Sequence, residues 1–380
     1  MEGNLILFWS LGKSRNMAFS FFKSIKSRGN MGLDIGTSSI KIVELEKRGG
    51  RFELLNYGIF ELEGADANIA NQVRAEGWQN ILKMPDQDIS EGIKELIKKA
   101  GIGSSEVVAS IPSFSTFATV IEMPYVSDED LARALPFEAK KYVPIPLDEV
   151  VLDWSIVGVI DGQARAGAAP SLVEVFLAAV PKEETSRYQN IMKNANLHIQ
   201  ALELENSALI RGLLGNDLSS AVVVNIGGRS TSISIIRRGY ERVSHNYEVG
   251  GFEITRAISQ SLGVNLEKAE ELKRKFGLKK VEDDIINEST ISLIDMMVFE
   301  TQKTIAGYEE SSKEKIANII LIGGLTNMPG FCDYFKEKLG RNITVGNPFA
   351  RVTYPRELEP IMPELQSTLA VAIGLAMRDV

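Results

Sequence analysis

The chain has 380 residues, enough for two or three domains of ordinary size. Hydrophobic residues make up 44% and charged residues 24%, a globular balance that excludes a disordered chain, a collagen and a coiled coil. Asp and Glu number 50 against 42 Lys and Arg, and the resulting formal charge of −8 argues against a dedicated nucleic-acid binder. The single cysteine, Cys332, can form neither an internal disulfide nor a Cys-rich zinc site, which favours a reducing compartment. The two histidines, His198 and His245, are far apart and lack HExxH spacing, so metallohydrolase and Ser-His-Asp readings are weak from the start. No apolar run approaches the ~18 residues of a membrane span.

Residues 1–30 read as an N-terminal extension. Leu5–Trp9 follows the acidic Glu2, with Lys13 and Arg15 behind it, the reverse of a secretory signal. Met17 opens a second plausible start, and Phe19, Phe21, Phe22 and Ile25 beside Lys23, Lys26 and Arg28 would suit a membrane surface. A short capping or frayed helix is the simpler expectation. Gly12-Lys13-Ser14 resembles the end of a Walker A loop, but Leu7 stands where its first glycine belongs.

From Met31 to Leu45 the pattern is an apolar strand, a Gly36-Thr37-Ser38-Ser39 turn and a second strand. Asp88, with Glu91 three residues on, predicts a helix start, and Gly101 predicts its stop. Val107–Ile111 is an apolar strand ended by Pro112. Ser127 and Asp130 form a capping pair for a helix through Leu131, Leu135 and Phe137, in which Pro136 predicts a kink or break. Val150–Val157 and Val173–Val180 are strands, separated by a Gly/Ala-rich loop and followed by a helix over Lys182–Ala195. Ala221–Ile236 then repeats the first pattern: strand, Gly227-Gly228-Arg229-Ser230 turn, strand. Asp34 aligns with Asn225 and Gly36 with Gly227, an offset of 191 residues, which implies two halves on one plan. Ala317–Ile322, Gly323-Gly324 and a helix from about Gly330 to Leu339 pair with the Val173 strand and its helix. The first half spends 145 residues (34 to 179) where the second spends 98 (225 to 323), an excess of 47 that fits a small insertion at 105–170. Alternation of strands and helices in both halves gives an α/β architecture.

A glycine turn between two strands can aim backbone N–H groups at a phosphate, and the hydroxyls of Thr37 and Ser38 add donors. Asp34, at the end of its strand, stands where a carboxylate can hold Mg²⁺ through its waters. Two such turns on facing halves would grip a polyphosphate from both sides. Gly323-Gly324 would let a flat ring or a phosphate approach the backbone. Glu270 and Lys273 share a helix face and suit ribose hydroxyls, although a charged run from Lys268 to Lys280 also reads as a solvated face. Trp9, Trp78 and Trp154 lack interleaved basic residues, so no nucleic-acid stacking platform is expected. Cys332 reads as a small buried hydrophobe in the last helix, and both histidines as structural.

In this order, two Asp-x-Gly-Thr-type hairpins and a Gly-Gly-x-x-x-x-Pro-Gly turn resemble the actin-type ATPase fold, which includes actin, chaperone ATPase domains, sugar kinases and FtsA. Pro136–Trp154, with its Tyr142-Val143-Pro144-Ile145-Pro146 core, more specifically resembles the PilM family, the cytoplasmic actin-like proteins of type IV pilus assembly; so do Glu248–Thr255 and Ser367–Ala376. The resemblance covers about residues 31–378. It implies two duplicated lobes, 31–104 with 171–215 and 216–380, with a small FtsA-like α+β subdomain at 105–170. It also implies ATP and Mg²⁺ in the cleft. Asp34 would serve the metal; Gly36, Thr37, Ser38 and Lys41 would line the first phosphate turn; Gly227, Gly228 and Arg229 would line the second. Glu270 and Lys273 would flank the ribose, and Gly323, Gly324 and Asn327 would meet the adenosine. The implied partner is the cytoplasmic N-terminal tail of a PilN-like bitopic membrane protein, within a pilus platform at the inner face of the membrane. Self-association is left open.

One departure is Asn225, where the second motif usually has Asp. With no histidine near any motif, at most slow ATP hydrolysis is expected. Alternatives on the same fold are a sugar-type kinase, an FtsA-like filament protein and a nucleotide-free adaptor.

Overall fold

The computed structural model describes residues 5–6, 29–61, 85–160, 172–278 and 285–378. The first sheet contains β1 (Leu5–Ile6), β2 (Asn30–Ile35), β3 (Ser39–Arg48), β4 (Arg51–Glu61), β5 (Glu106–Ile111) and β9 (His198–Leu204), in the order β1-β4-β3-β2-β5-β9. β2 and β3 are an antiparallel hairpin, while β5 and β9 follow β2 in parallel. The second sheet runs β12-β11-β10-β13-β14, with β10 (Ala221–Ile226), β11 (Thr231–Arg237), β12 (Tyr240–Tyr247), β13 (Asn318–Ile322) and β14 (Thr344–Val345). Here too an antiparallel hairpin is followed by parallel strands. The duplication expected from the two turns is therefore present in strand order.

Helices cover these sheets. α1 (Asp86–Ala100) buries Ile89, Ile93 and Leu96, one stripe at helical spacing, and ends at the left-handed Gly101. It starts two residues before the expected Asp88, because Pro85 sets the entry and Asp86 joins the first turn. α3 (Lys182–Asn194) adds Tyr188, Ile191 and Met192 to the same core. α5 (Gly251–Leu262), α6 (Leu266–Lys275), α7 (Ile285–Ser312) and α8 (Phe331–Leu339) pack with the second sheet. Cys332 lies in α8, partly buried, with its thiol pushed up to about 11 by burial; α9 (Met362–Thr368) and α10 (Ala370–Ala376) follow, so α8 is not the last helix.

The lobes join where α4 (Glu205–Leu214) crosses α10. Ala208 and Leu209 of α4 and Ala370 and Leu375 of α10 share one core with Val108 of the first sheet and Val223 and Ile322 of the second.

A third sheet, β6-β8-β7, consists of β6 (Phe117–Pro124), β7 (Val150–Ile160) and β8 (Leu172–Pro181), with α2 (Asp128–Ala139) on one face. The Ser127 hydroxyl accepts from the Asp130 N–H, as the capping pair predicts. Pro136 lies inside α2 without ending it: buried Leu135 and Ala139 on either side hold the helix to the sheet.

Sheet membership corrects two sequence expectations. β5 lies in the first sheet, and β8 lies in the third, so the insertion runs from β6 through β8 rather than over 105–170. The first-lobe counterpart of β13 is accordingly β5, not the Val173 strand: each is the strand parallel to its lobe's first hairpin strand. Both candidates are short apolar runs, and periodicity cannot tell which pairs with a distant hairpin.

Candidate functional site

The two hairpin turns have the same backbone. Gly36 N–H donates to the Ser39 carbonyl at 3.0 Å, and Gly227 N–H donates to the Ser230 carbonyl at 2.9 Å. Asp34 stands opposite Lys41 in the first hairpin, and Asn225 stands opposite Ser232 in the second. The turns also meet: a Cβ added to Gly228 would lie 2.7 Å from Ser38 Oγ and 3.3 Å from Thr37 Oγ1, so a larger residue here would push these side chains aside.

Asp34 is 6% exposed. Its carboxylate accepts from Lys41 Nζ at 3.0 Å and from Ser110 Oγ at 2.9 Å. Beside it is a carboxylate that sequence reading missed. Glu205, the first residue of α4, accepts from Ser113 N–H at 3.3 Å, from Ser113 Oγ at 3.2 Å and from Asn225 Nδ2 at 3.1 Å. Burial pushes its carboxyl above the usual range and the charge of Asp34 adds to this, against the hydrogen bonds of Ser113 and the charge of Lys41. An acid at a helix start is commonplace, and Ser110 and Ser113 lie around a strand end, so no sequence signal separated these three from ordinary structure.

The second turn continues into α5. Gly251 N–H donates to the Gly227 carbonyl at 3.0 Å, and Phe252 N–H donates to the Gly228 carbonyl at 2.7 Å. The Arg229 guanidinium stacks 4.7 Å from the centre of the Phe252 ring. Lys273, on α6, is buried rather than part of a solvated face. Its Nζ donates to the Gly251 carbonyl at 3.1 Å and to Thr255 Oγ1 at 2.9 Å, and pairs with Glu270 at 2.6 Å. Burial lowers the Lys273 pKa against the pull of Glu270. Burial pushes Glu270 up, but Lys273, Thr255 and Arg274 together hold it below the usual carboxylate range. The neighbouring Arg274 lies 3.7 Å from Glu61, at the end of β4 in the other lobe.

Gly323, at φ 101°, packs against the carbonyl of Ile226, and Gly324 faces open space. Asn327 Nδ2 donates to Ser367 Oγ at 2.5 Å and is thus occupied with α9. The structure therefore gathers Asp34, Gly36, Thr37, Ser38, Lys41, Gly227, Gly228 and Arg229 at one junction. Glu270 and Lys273 connect to it through Gly251, and Gly323 through Ile226.

The model of the family described as type IV pilus assembly protein PilM matches residues 32–380. The chain belongs to this family. It is a pilus-assembly protein with an actin-like ATPase fold. Among solved structures, a PilM-PilN type IV pilus biogenesis complex is similar at TM-score 0.75 and 22% identity, over 92% of this chain and 98% of that one. The ethanolamine utilization protein EutJ of Carboxydothermus hydrogenoformans matches at TM-score 0.55 and 15% identity, over 92% of this chain and 89% of its own. Among curated relatives, cell division protein FtsA of Enterococcus faecalis is 24% identical over 84% of this chain and 78% of its own length. Among the described residues, no helix is long and apolar enough to cross a membrane.

Proposed function

We propose that the chain binds Mg–ATP between its lobes and holds the cytoplasmic N-terminal tail of a PilN-like membrane protein beside its inserted subdomain, as a scaffold at the inner face of the membrane with other pilus platform proteins. The observation that carries the nucleotide reading is the contact between the two turns, with Asp34, Lys41 and Arg229 around it.

The residues present fit a magnesium polyphosphate. Turn N–H groups, the hydroxyls of Thr37 and Ser38, Lys41 and Arg229 are donors for phosphate oxygens. Asp34 would hold the metal through its waters, and the metal when bound would offset the phosphate charge. On binding, Lys41 would turn from Asp34 toward phosphate, and Arg229 would leave or share its stacking on Phe252. Glu270 and Lys273, fixed to each other and to Thr255, would flank the ribose. Gly323, Gly324 and Asn327 would border the adenosine. Glu205 supplies the carboxyl that the absence of a nearby histidine leaves wanting: at the lobe junction it would orient a water. Asn225 gives its amide to that carboxyl and brings no charge of its own, which favours slow turnover and a nucleotide that fixes the lobe arrangement.

The tail reading is supported by the printed partner of the similar solved complex and by the surface of the inserted subdomain. Phe137 is 71% exposed, Tyr125 60% and Val159 50%, with Val151 and Ile156 also exposed on β7. Titration calorimetry with Mg–ATP and then with a synthetic tail peptide tests both halves. A saturable one-site heat is expected in each; absence of heat with Mg–ATP overturns the nucleotide reading, and absence with the peptide overturns the scaffold reading. Turnover as fast as an ordinary metabolic kinase would contradict the proposed role of Asn225.

A further inference from the structure

The inserted subdomain belongs by chain to the first lobe, entering at Pro112 and leaving at Pro181. It meets the second lobe along β12, through an ion pair and a ring contact. Glu174, on β8, points away from the core formed by Val173, Val175 and Leu177 with α2, and is 4% exposed. Both its oxygens accept from the Arg242 guanidinium, at 2.8 and 3.2 Å. Arg238 stands 3.6 Å away. Phe176, next on the same face of β8, lies 6.0 Å from the ring of Tyr240.

Two irregular strands make this pair. In β12, Val243 pairs with Ile235 and Glu241 with Ile236, so Arg242 is the extra residue of a bulge. In β7, Ile156 pairs with Val175 and Gly158 with Glu174, so Val157 is a second bulge. A Cβ on Gly158 would lie 2.4 Å from Glu174 Oε2, so glycine here leaves the space the carboxylate occupies. Two bulges in two sheets converge on one bidentate ion pair. Burial works against the ionised Glu174, yet Arg242, Arg238 and Arg237 hold it below the usual carboxylate range. β12 also carries Glu241, which accepts from Asn206 at 2.7 Å, one residue along α4 from Glu205. At the other end, Asn246 of β12 donates to the carbonyl of Ser113 at 3.4 Å, and Ser113 holds Glu205.

We infer that Glu174–Arg242 is a latch that fixes the inserted subdomain to the second lobe, so that the subdomain moves with β12 when the lobes rotate about α4 and α10. The nucleotide reading supplies only the trigger for that rotation; the latch is tested without it.

Spin labels in a Cys332→Ser background report the three bodies: exposed Ser155 for the subdomain, Lys94 for the first lobe and Glu337 for the second. Without nucleotide, double electron–electron resonance gives the Ser155–Glu337 distance distribution. In the Glu174→Gln/Arg242→Gln variant, that distribution is expected to widen at least two-fold while Ser155–Lys94 stays as it was. Equal widths in both proteins overturn the latch. If the double variant does not fold, Arg242→Lys, which keeps the charge and loses the bidentate fork, is read the same way. With Mg–ATP, Ser155–Glu337 is expected to stay fixed while Ser155–Lys94 shifts; the opposite pattern also overturns the latch. If no distance responds to Mg–ATP, the nucleotide-driven rotation fails, while the width comparison still decides the latch.

Discussion

The first and second hairpin turns have one backbone and two chemistries. Each closes with a glycine N–H to the carbonyl three residues on, and each places its strand-end polar residue seven positions from its cross-strand partner. In the first turn that pair is Asp34 and Lys41, a partly buried ion pair. In the second it is Asn225 and Ser232, neither charged, and the amide of Asn225 serves Glu205. Duplication preserved the turn and let the charges diverge, so on the proposed reading metal holding would fall to one lobe while the other would contribute N–H groups and Arg229.

The largest test of this asymmetry is Asp34→Ala. It leaves the Lys41 ammonium and the Ser110 hydroxyl without their carboxylate, and about 2–3 kcal/mol of stability is expected to be lost in urea unfolding. Saturable Mg–ATP heat should vanish in the same variant; a titration like that of the unaltered protein would mean that the first turn is not the metal side. Gly228→Val comes next. Its side chain must enter the space of Ser38 and Thr37, and Mg–ATP affinity is expected to fall at least ten-fold, about 1.4 kcal/mol. Unchanged affinity would show that the turns do not act together.

Much of this arrangement was legible in the sequence. Each turn alone reads as an ordinary turn; the pair stood out because strand, small polar turn and strand occur twice, and the duplication followed from the 191-residue offset between Asp34 and Asn225. Which first-lobe strand corresponds to β13 was not legible, since β5 and β8 are both apolar runs and their sheets form only by long-range pairing. Lys273 was picked out, but its burial was not legible: that depends on Gly251 and Thr255 arriving from α5, whereas its own helix reads as a charged run. Glu205 carries no local mark at all; its role arises from Ser113 and Asn225, which lie far away along the chain.

A smaller effect sharpens the comparison from the other side. Asn225→Asp makes the second turn chemically like the first and sets a carboxylate against Glu205. ATP turnover is expected to rise several-fold with Mg²⁺, and the Glu205 pKa to climb further. A group whose folded pKa is raised stabilises below its ordinary value and loses that contribution as pH rises through the raised one, so this variant should lose more stability than the unaltered protein on going from acid to neutral pH. Thermal melts across that interval check the sign.

A further test concerns the buried support behind the second turn. Burial pushes Glu241 up to about 7, against hydrogen bonds from Ser234, Asn206 and Ser244. The folded protein thus keeps a proton that the unfolded chain releases near its ordinary 4.5, and stability should decline as pH rises from about 5 to 7. Glu241→Gln is expected to flatten that decline by on the order of 1 kcal/mol or more, read from denaturant midpoints at several pH values.

Joint action of the two turns on one polyphosphate is measured most directly by amide hydrogen exchange across residues 36–39 and 227–230, with and without Mg–ATP. Exchange should slow in both turns over the same nucleotide concentration range. Protection of one turn alone, or of neither, would contradict a shared site.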